Sequence, residues 1–178
     1  MIEVVPKIKV IKNKNLKTND LDKIVKLKNS EWKYNLQNHK IWIKKNLKPQ
    51  DVHFLLIKKN VLVGYNLLRN RKLEIETNSL KVSKKLTFYY FDTFIIDKES
   101  RKKGLAKLFI KNINKYILKQ KKLGLLLCKK DHLEFYKKFN WNLVRKTFFK
   151  IIDKKTKLNI MIFNNKIGFK IKAKVTIN

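Results

Sequence analysis

With 178 residues, 44% of them hydrophobic, the chain has the length of one ordinary domain and the apolar content to bury a sizeable core, so a single domain over residues 1–178 is expected. A formal net charge of +32 ordinarily signals a polyanionic partner, because clustered lysines bind phosphates and release counterions. Arginine stands only at Arg69, Arg71, Arg101 and Arg145, and the lysines are interleaved with Asn, Ile, Leu and Phe, so the coat reads either as drift of an AT-rich coding sequence or as a selected polyanion-binding surface, with nucleic acid a weak partner.

The amino-terminal MIEVVPKIKVIKNKN lacks the apolar core and small-residue cleavage site of a signal peptide, and no run approaches the roughly 18 apolar residues of a membrane span. A cytoplasmic protein without membrane association is expected. KIKVI, residues 7–11, alternates like a short strand. Thr18, Asn19 or Asp20 is placed to cap a helix carrying Leu21, Ile24, Val25, Leu27 and Trp32, and a second helix covers Leu36 to Leu47, stopped near Pro49.

VHFLLIKK and VLVGYNLLR are apolar runs separated near Asn60, which reads as a tight antiparallel hairpin. The polar stretch from about residue 70 to 85 either extends that hairpin or forms a loop. LTFYYFDTFIID, residues 86–97, is rich in aromatic and β-branched residues and is the clearest strand in the chain.

KESRKKGLAKLFIKNI, residues 98–113, follows at once. Leu105, Leu108, Phe109, Ile113 and Ile117 mark a long amphipathic helix whose first turn presents unpaired backbone N–H groups, and such groups favour phosphate oxygens. Gly104 has no β-carbon to obstruct a pyrophosphate, and Arg101 and its neighbouring lysines supply charge. Taken locally, the pattern fits an ordinary strand-to-helix connection equally well. Downstream, Leu123 to Cys128 reads as a buried strand, about Asp131 to Phe139 as a short helix, and Trp141 opens a further strand. The resulting order of strand, turn, helix, strand, helix and strand suits an α/β domain with ligand at the ends of central strands.

Two of these stretches resemble the GNAT superfamily of N-acetyltransferases. FIIDKESRKKGLA is similar to the family's strand-four signature, an R-x-x-G-x-G/A turn shortly after the strand, and LLC followed by EFYKKFNW is similar to its strand-five and helix-four signature. The likeness covers about residues 86 to 145; the tail from Lys154 onward adds little. Ala106 stands where many members have glycine, which the pattern permits. Asn140 stands where glycine is usual, and asparagine tolerates the left-handed conformation a helix end needs.

The resemblance implies a mixed, mostly antiparallel sheet flanked by helices, with strands four and five splayed apart so that a thioester enters between them. It implies acetyl-CoA as cosubstrate and no metal. It further implies that the backbone of Phe94, Ile95 and Ile96 lines the pantetheine arm, and that Arg101, Lys102, Lys103, Gly104, Leu105 and Ala106 wrap the pyrophosphate. Tyr136 matches the tyrosine that faces the coenzyme sulfur, where a phenol can protonate the departing thiolate; otherwise it is an aromatic core residue beside Phe135 and Phe139.

An alkyl ammonium of pKa about 10.4 is neutral in only roughly one molecule in a few thousand at pH 7, so some group must take its proton. Asp92 shares side-chain parity with Phe94 and Ile96 and is the candidate base, acting directly or through water. It is equally readable as a substrate-orienting carboxylate or a paired buried acid. Glu74, Glu76 and Asp51 are weaker acceptor-site candidates. Trp32 and Trp42 fall in the helices that border the acceptor pocket in this family, where they either line it or pack, and Trp141 packs. Cys128 excludes an intramolecular disulfide and is read as a structural thiol rather than a nucleophile, and His39, His53 and His132 lack ligand-like spacing.

The expected activity is therefore acetyl transfer from acetyl-CoA to a primary amine by direct attack in a ternary complex. The carboxyl half is also somewhat similar to aminoglycoside 2-prime N-acetyltransferases, but a protein of this charge repels a polycationic drug at long range. The alternative is a basic RNA- or ribosome-associated protein that keeps the fold without turnover. A monomer or homodimer fits either.

Overall fold

Every strand expected from the sequence forms, and three more follow the last of them. The structure, a computed structural model, describes residues 4–76, 84–145, 149–151, 156–164 and 172–175. In chain order these are β1 (Lys7–Lys12), α1 (Thr18–Glu31), α2 (Leu36–Asn46), β2 (Val52–Lys58), β3 (Val61–Glu76), β4 (Lys84–Ile96), α3 (Leu105–Lys119), β5 (Leu123–Cys128), α4 (Leu133–Lys137), β6 (Asn142–Val144), β7 (Phe149–Ile151), β8 (Asn159–Phe163) and β9 (Lys172–Val175). The strands form one mixed sheet in the order β1-β2-β3-β4-β5-β8-β6, with β9 paired to β3 and to β7. Strand β4 runs parallel to β5, and β7 parallel to β9; β1 with β2, β2 with β3, β3 with β9, and β8 with both β5 and β6 are antiparallel. This is the α/β, mostly antiparallel architecture expected.

The chain divides into two compact units, Met1–Arg69 with Asp92–Ile113, and Asn70–Phe91 with Asn114–Asn178. In the first, β2 and β3 join through a two-residue turn in which Lys59 (φ 49°) and Asn60 (φ 60°) are both left-handed, the turn that matches the twist of a hairpin. Helices α1 and α2 close one core, in which Ile24, Val25, Leu27 and Ile43 pack with Leu55, Tyr65, Leu67 and Ile95. Helix α1 starts at Thr18, with Lys17 at the cap position and no side-chain cap. The expected capping by Thr18, Asn19 or Asp20 therefore fails, because all three lie inside the first turn, where Asp20 instead receives Lys9 Nζ at 2.9 Å. Helix α2 does have a cap: Asn35, at φ 63°, accepts the Asn38 N–H at 2.8 Å.

In the second unit β5 lies between the first half of β4 and β8. Its Gly124 is required by packing, since a β-carbon there would sit 2.9 Å from Trp141 Cη2. Trp141 is wholly buried, stacked on Phe163 at 5.4 Å, and its indole N–H donates to Asn114 Oδ1 at 3.1 Å. The helix expected over Asp131 to Phe139 is shorter, a 3-10 turn over Lys130–His132 followed by α4. Asn140 ends that segment at φ 63°, the left-handed conformation expected of it. The polar stretch after residue 70 extends the hairpin: β3 reaches Glu76 and β4 starts at Lys84, with 77–83 outside the described residues. The tail, which adds little to the resemblance, supplies β8 and β9 to the sheet.

Candidate functional site

The sequence from Phe94 to Ala106 forms one continuous path at the end of β4. Ile95 and Ile96 are buried, and Phe94 stacks on Phe109 of α3 at 5.7 Å. A 3-10 turn over Lys98–Ser100 then leads to Arg101, whose Nε donates to the Ile96 carbonyl at 2.9 Å and pins the turn to the strand it leaves. Its other guanidinium nitrogen, Nη2, pairs with Glu31 at 2.6 Å. Lys102 (φ 61°) and Gly104 (φ 72°) are both left-handed, which glycine adopts without strain.

The first helical hydrogen bond of α3 runs from Leu108 N–H to the Gly104 carbonyl at 3.1 Å. The N–H groups of Leu105, Ala106 and Lys107 therefore have no acceptor within the helix. A β-carbon built on Gly104 meets nothing within 4 Å, and Arg101, Lys102, Lys103 and Gly104 are exposed. The turn is thus an open, cationic cradle at a helix N-terminus, which has the shape and charge to hold phosphate oxygens. Lys103 Nζ rests on the Glu99 carbonyl at 2.6 Å.

The parallel ladder of β4 with β5 runs from Phe88↔Leu123 to Phe91↔Leu126 and stops there, although β4 continues to Ile96 and β5 to Cys128. Beyond Phe91 the two strands share no ladder bonds among the described residues. Splaying at this point is what the resemblance implied.

A cavity of about 380 Å³ lies in the first unit, between the α1–α2 corner and β4. Trp32 and Trp42, Tyr34, Asn38 and His39 form its helical side, and Asp92 and Thr93 its strand side. The corner is held by His39, whose Nε2 donates to the Trp32 carbonyl at 2.9 Å. Thr93 is fixed through its carbonyl, which accepts the Asn66 amide at 2.8 Å. Asp92 Oδ2 pairs with Arg69 Nη1 at 3.4 Å, and Arg69 also reaches the Asn46 carbonyl and lies over the Trp42 ring at 5.6 Å.

The eighth wall residue is Lys28, which sequence reasoning missed, as it missed Tyr34, Asn38, His39 and Thr93. It is only 6% exposed, its ammonium stands 4.7 Å from the centre of the Trp42 ring and 6.0 Å from that of Trp32, and burial lowers its pKa, opposed by Asp92 and reinforced by Arg69. The signal was present: Ile24, Lys28 and Trp32 recur at intervals of four, the spacing of a buried helical stripe. Arg69 was legible in the same way, as one of few arginines in a lysine-rich chain, closing an apolar strand.

Of the other acidic candidates, Asp51 is wholly buried and accepts the Lys48 N–H at 2.9 Å, so it braces the turn before β2. The side chains of Glu74 and Glu76 lie outside the described residues.

In the second unit Tyr136 sits on α4 among aromatic edges, 5.9 Å from Phe91, 5.2 Å from Phe135 and 6.3 Å from Trp141. Burial, helped by Cys128, pushes its phenol pKa well above the ordinary value, so it holds its proton throughout the physiological range. Its hydroxyl makes no hydrogen bond to any described residue. Cys128 is buried, donates to Met161 Sδ at 3.7 Å and has its thiol pKa raised by burial, the environment of an inert thiol.

No family model and no curated protein matches the sequence. Solved structures do match the fold. A GNAT family N-acetyltransferase (YhbS) from Escherichia coli in complex with CoA superposes with a TM-score of 0.70 at 12% identity, over 98% of this chain and 91% of that one. The aminoglycoside N-acetyltransferase AAC(6')-Iy in complex with CoA gives a TM-score of 0.56 at 12% identity, over 77% and 86% of the two chains. The PaiA N-acetyltransferase from Thermoplasma acidophilum in complex with coenzyme A gives 0.54 at 15% identity, over 88% and 98%. With the sheet order, the interrupted β4–β5 ladder and the Gly104 turn, these likenesses establish that the chain has the GNAT N-acetyltransferase fold.

Proposed function

We propose that the protein transfers an acetyl group from acetyl-CoA to a primary amine, by direct attack with both substrates bound. The observation that carries this reading is the Gly104 turn: three helix-starting N–H groups, a left-handed glycine whose missing β-carbon leaves open space, and three adjacent cationic side chains. Those residues suit a pyrophosphate, and the end of β4 from Asp92 to Ile96, which has no ladder to β5 among the described residues, has backbone groups on that side to offer a pantetheine arm. The CoA complexes of proteins with this fold support the same assignment.

In this reading the N–H groups of Leu105 and Ala106, with Lys102 and Lys103, bind the pyrophosphate, while Arg101 chiefly shapes the turn through its bonds to Ile96 and Glu31. Coenzyme A supplies the acetyl group as a thioester. Asp92 takes the proton of the incoming ammonium, directly or through water, or orients the amine while water takes it, and Arg69 holds the carboxylate in place. As the C–N bond forms and the C–S bond breaks, the Tyr136 hydroxyl gives its proton to the departing sulfur, and the proton lost by the new amide nitrogen returns the phenol to its neutral form through water. Trp32 and Trp42 form the apolar walls of the acceptor cavity.

Release of free thiol from acetyl-CoA across a panel of amines tests the activity. A second reading, a basic RNA-associated protein that keeps this fold without turnover, draws on the net charge of +32. Tight, salt-resistant binding to one RNA together with no affinity for coenzyme A would favour it, because charge alone gives binding that weakens steeply with salt.

A further inference from the structure

Resting on the acetyltransferase reading, we infer that the acceptor is a small primary amine that carries its own carboxylate, a free amino acid with an apolar or aromatic side chain, whose carboxylate pairs with Lys28 while its amine faces Asp92.

The inference comes from charge balance in the cavity. Lys28 lines it from α1, is 6% exposed, and has no hydrogen-bond or ion-pair partner among the described residues. Among the described residues its ammonium rests against the faces of Trp42 and Trp32, with the Asp92 charge acting from across the cavity. A cation so far removed from water is costly to hold, and ring faces offset only part of that cost. The carboxylate that could neutralise it, Asp92, is already paired with Arg69, itself 4% exposed. Among the described residues, the cavity wall and Arg69 behind it thus hold two cations and one anion.

An acceptor with an amine alone would enter as an ammonium and add a third cation. An acceptor with a carboxylate supplies the missing anion, and its ammonium finds Asp92. The net charge then stays at +1, where an amine alone would raise it to +2, and Lys28 and the incoming ammonium each face a carboxylate. The size agrees: about 380 Å³ lies at the small end of ligand pockets, which run roughly 300–1,000 Å³, and leaves no room for a large polycation. The two indole walls suit an apolar or aromatic body between the polar ends. A peptide amino terminus presents the amine without the adjacent carboxylate and leaves Lys28 uncompensated.

Calorimetric titration of the coenzyme-loaded protein with matched ligands tests this: phenylalanine, tryptophan and leucine, each against its amide and its decarboxylated amine. The free acids are expected to bind more tightly than their amides and amines by about tenfold to a hundredfold, the worth of one charge-assisted hydrogen bond. Lys28→Met should remove that preference by lowering affinity for the acids while leaving the amines unchanged or tighter. Lys28→Gln, which keeps a polar head, should fall between. Amines or amides that bind as well as the acids would overturn the inference, as would failure of every acid to bind or an unchanged preference in folded Lys28→Met. Coenzyme A titrated alone keeps the two ideas apart: normal coenzyme affinity without acid preference sinks only the acceptor assignment, whereas absent coenzyme affinity sinks the transferase reading.

Discussion

Arg69 Nη1 lies 3.4 Å from Asp92 Oδ2, so the carboxylate on the cavity wall is backed by a guanidinium that is almost wholly buried. Strands β3 and β4 each contribute one partner, and Lys28 faces the same wall from α1. Asp92 is thereby held at Oδ2 while its side chain stays 24% accessible. That arrangement suits a group that must meet a substrate without moving.

Asp92→Asn keeps the shape and removes the charge that faces Arg69. Thermal or denaturant unfolding should show a loss of about 3 kcal/mol, the order expected when one partner of a largely buried ion pair is removed. Turnover should fall by about 10²- to 10⁴-fold with coenzyme affinity retained. Wild-type turnover in the variant would exclude Asp92 from proton transfer.

Tyr136→Phe removes only the hydroxyl and keeps the ring among Phe91, Phe135 and Trp141. A proton donor to the leaving sulfur predicts a fall in turnover, within about 10²- to 10⁴-fold, at nearly unchanged coenzyme affinity and stability. Because the phenol pKa is raised, the wild-type rate should not decline through Tyr136 ionisation below about pH 10. Full turnover in the phenylalanine variant would sink the acid role and leave the transferase reading standing.

His53 supplies the pH dependence of stability. It is wholly buried, with Nδ1 2.9 Å from the Tyr65 hydroxyl and Nε2 donating to Asn13 Oδ1 at 3.1 Å, partners that a neutral ring satisfies in full by accepting from Tyr65. Burial, joined by Lys28 and opposed by Asp51, lowers its pKa to about 4. Between the ordinary value near 6.5 and about 4 the unfolded chain binds a proton that the folded chain does not, so stability falls as pH falls through that window, by up to about 3 kcal/mol. Denaturant midpoints from pH 7.5 to 4 should show the decline, and His53→Gln should flatten it. An equal slope in a folded variant would assign the loss to other groups.

Local patterning carried most of the fold. Alternation and β-branching marked β2, β3 and β4, and the four-residue spacing of Leu105, Phe109, Ile113 and Ile117 marked α3, because in each the buried face is written in the period of the element. Strands β8 and β9 were illegible because a short strand in a sheet is defined by partners distant in sequence, here β5 and β3. At the site, Asp92 and the tryptophans were legible by type. Their assembly with Lys28 and Arg69 into one cavity was not, since it depends on β3 delivering Arg69 beside β4 and on α1 turning a lysine inward against two indoles. A lysine in a lysine-rich sequence carries no signal by itself. Only its place on the Ile24–Trp32 stripe does.

The central claim is that the Gly104 turn binds coenzyme A. Its most direct test is calorimetric titration of coenzyme A into the wild-type protein and into Gly104→Val on matched, folded samples. The valine strains a backbone at φ 72°, at a cost of about 1–3 kcal/mol that the core should absorb, and it fills space open in the wild type. The account predicts saturable wild-type binding and an affinity at least about tenfold weaker in the variant. No wild-type binding, or equal affinity in the two proteins, would contradict it.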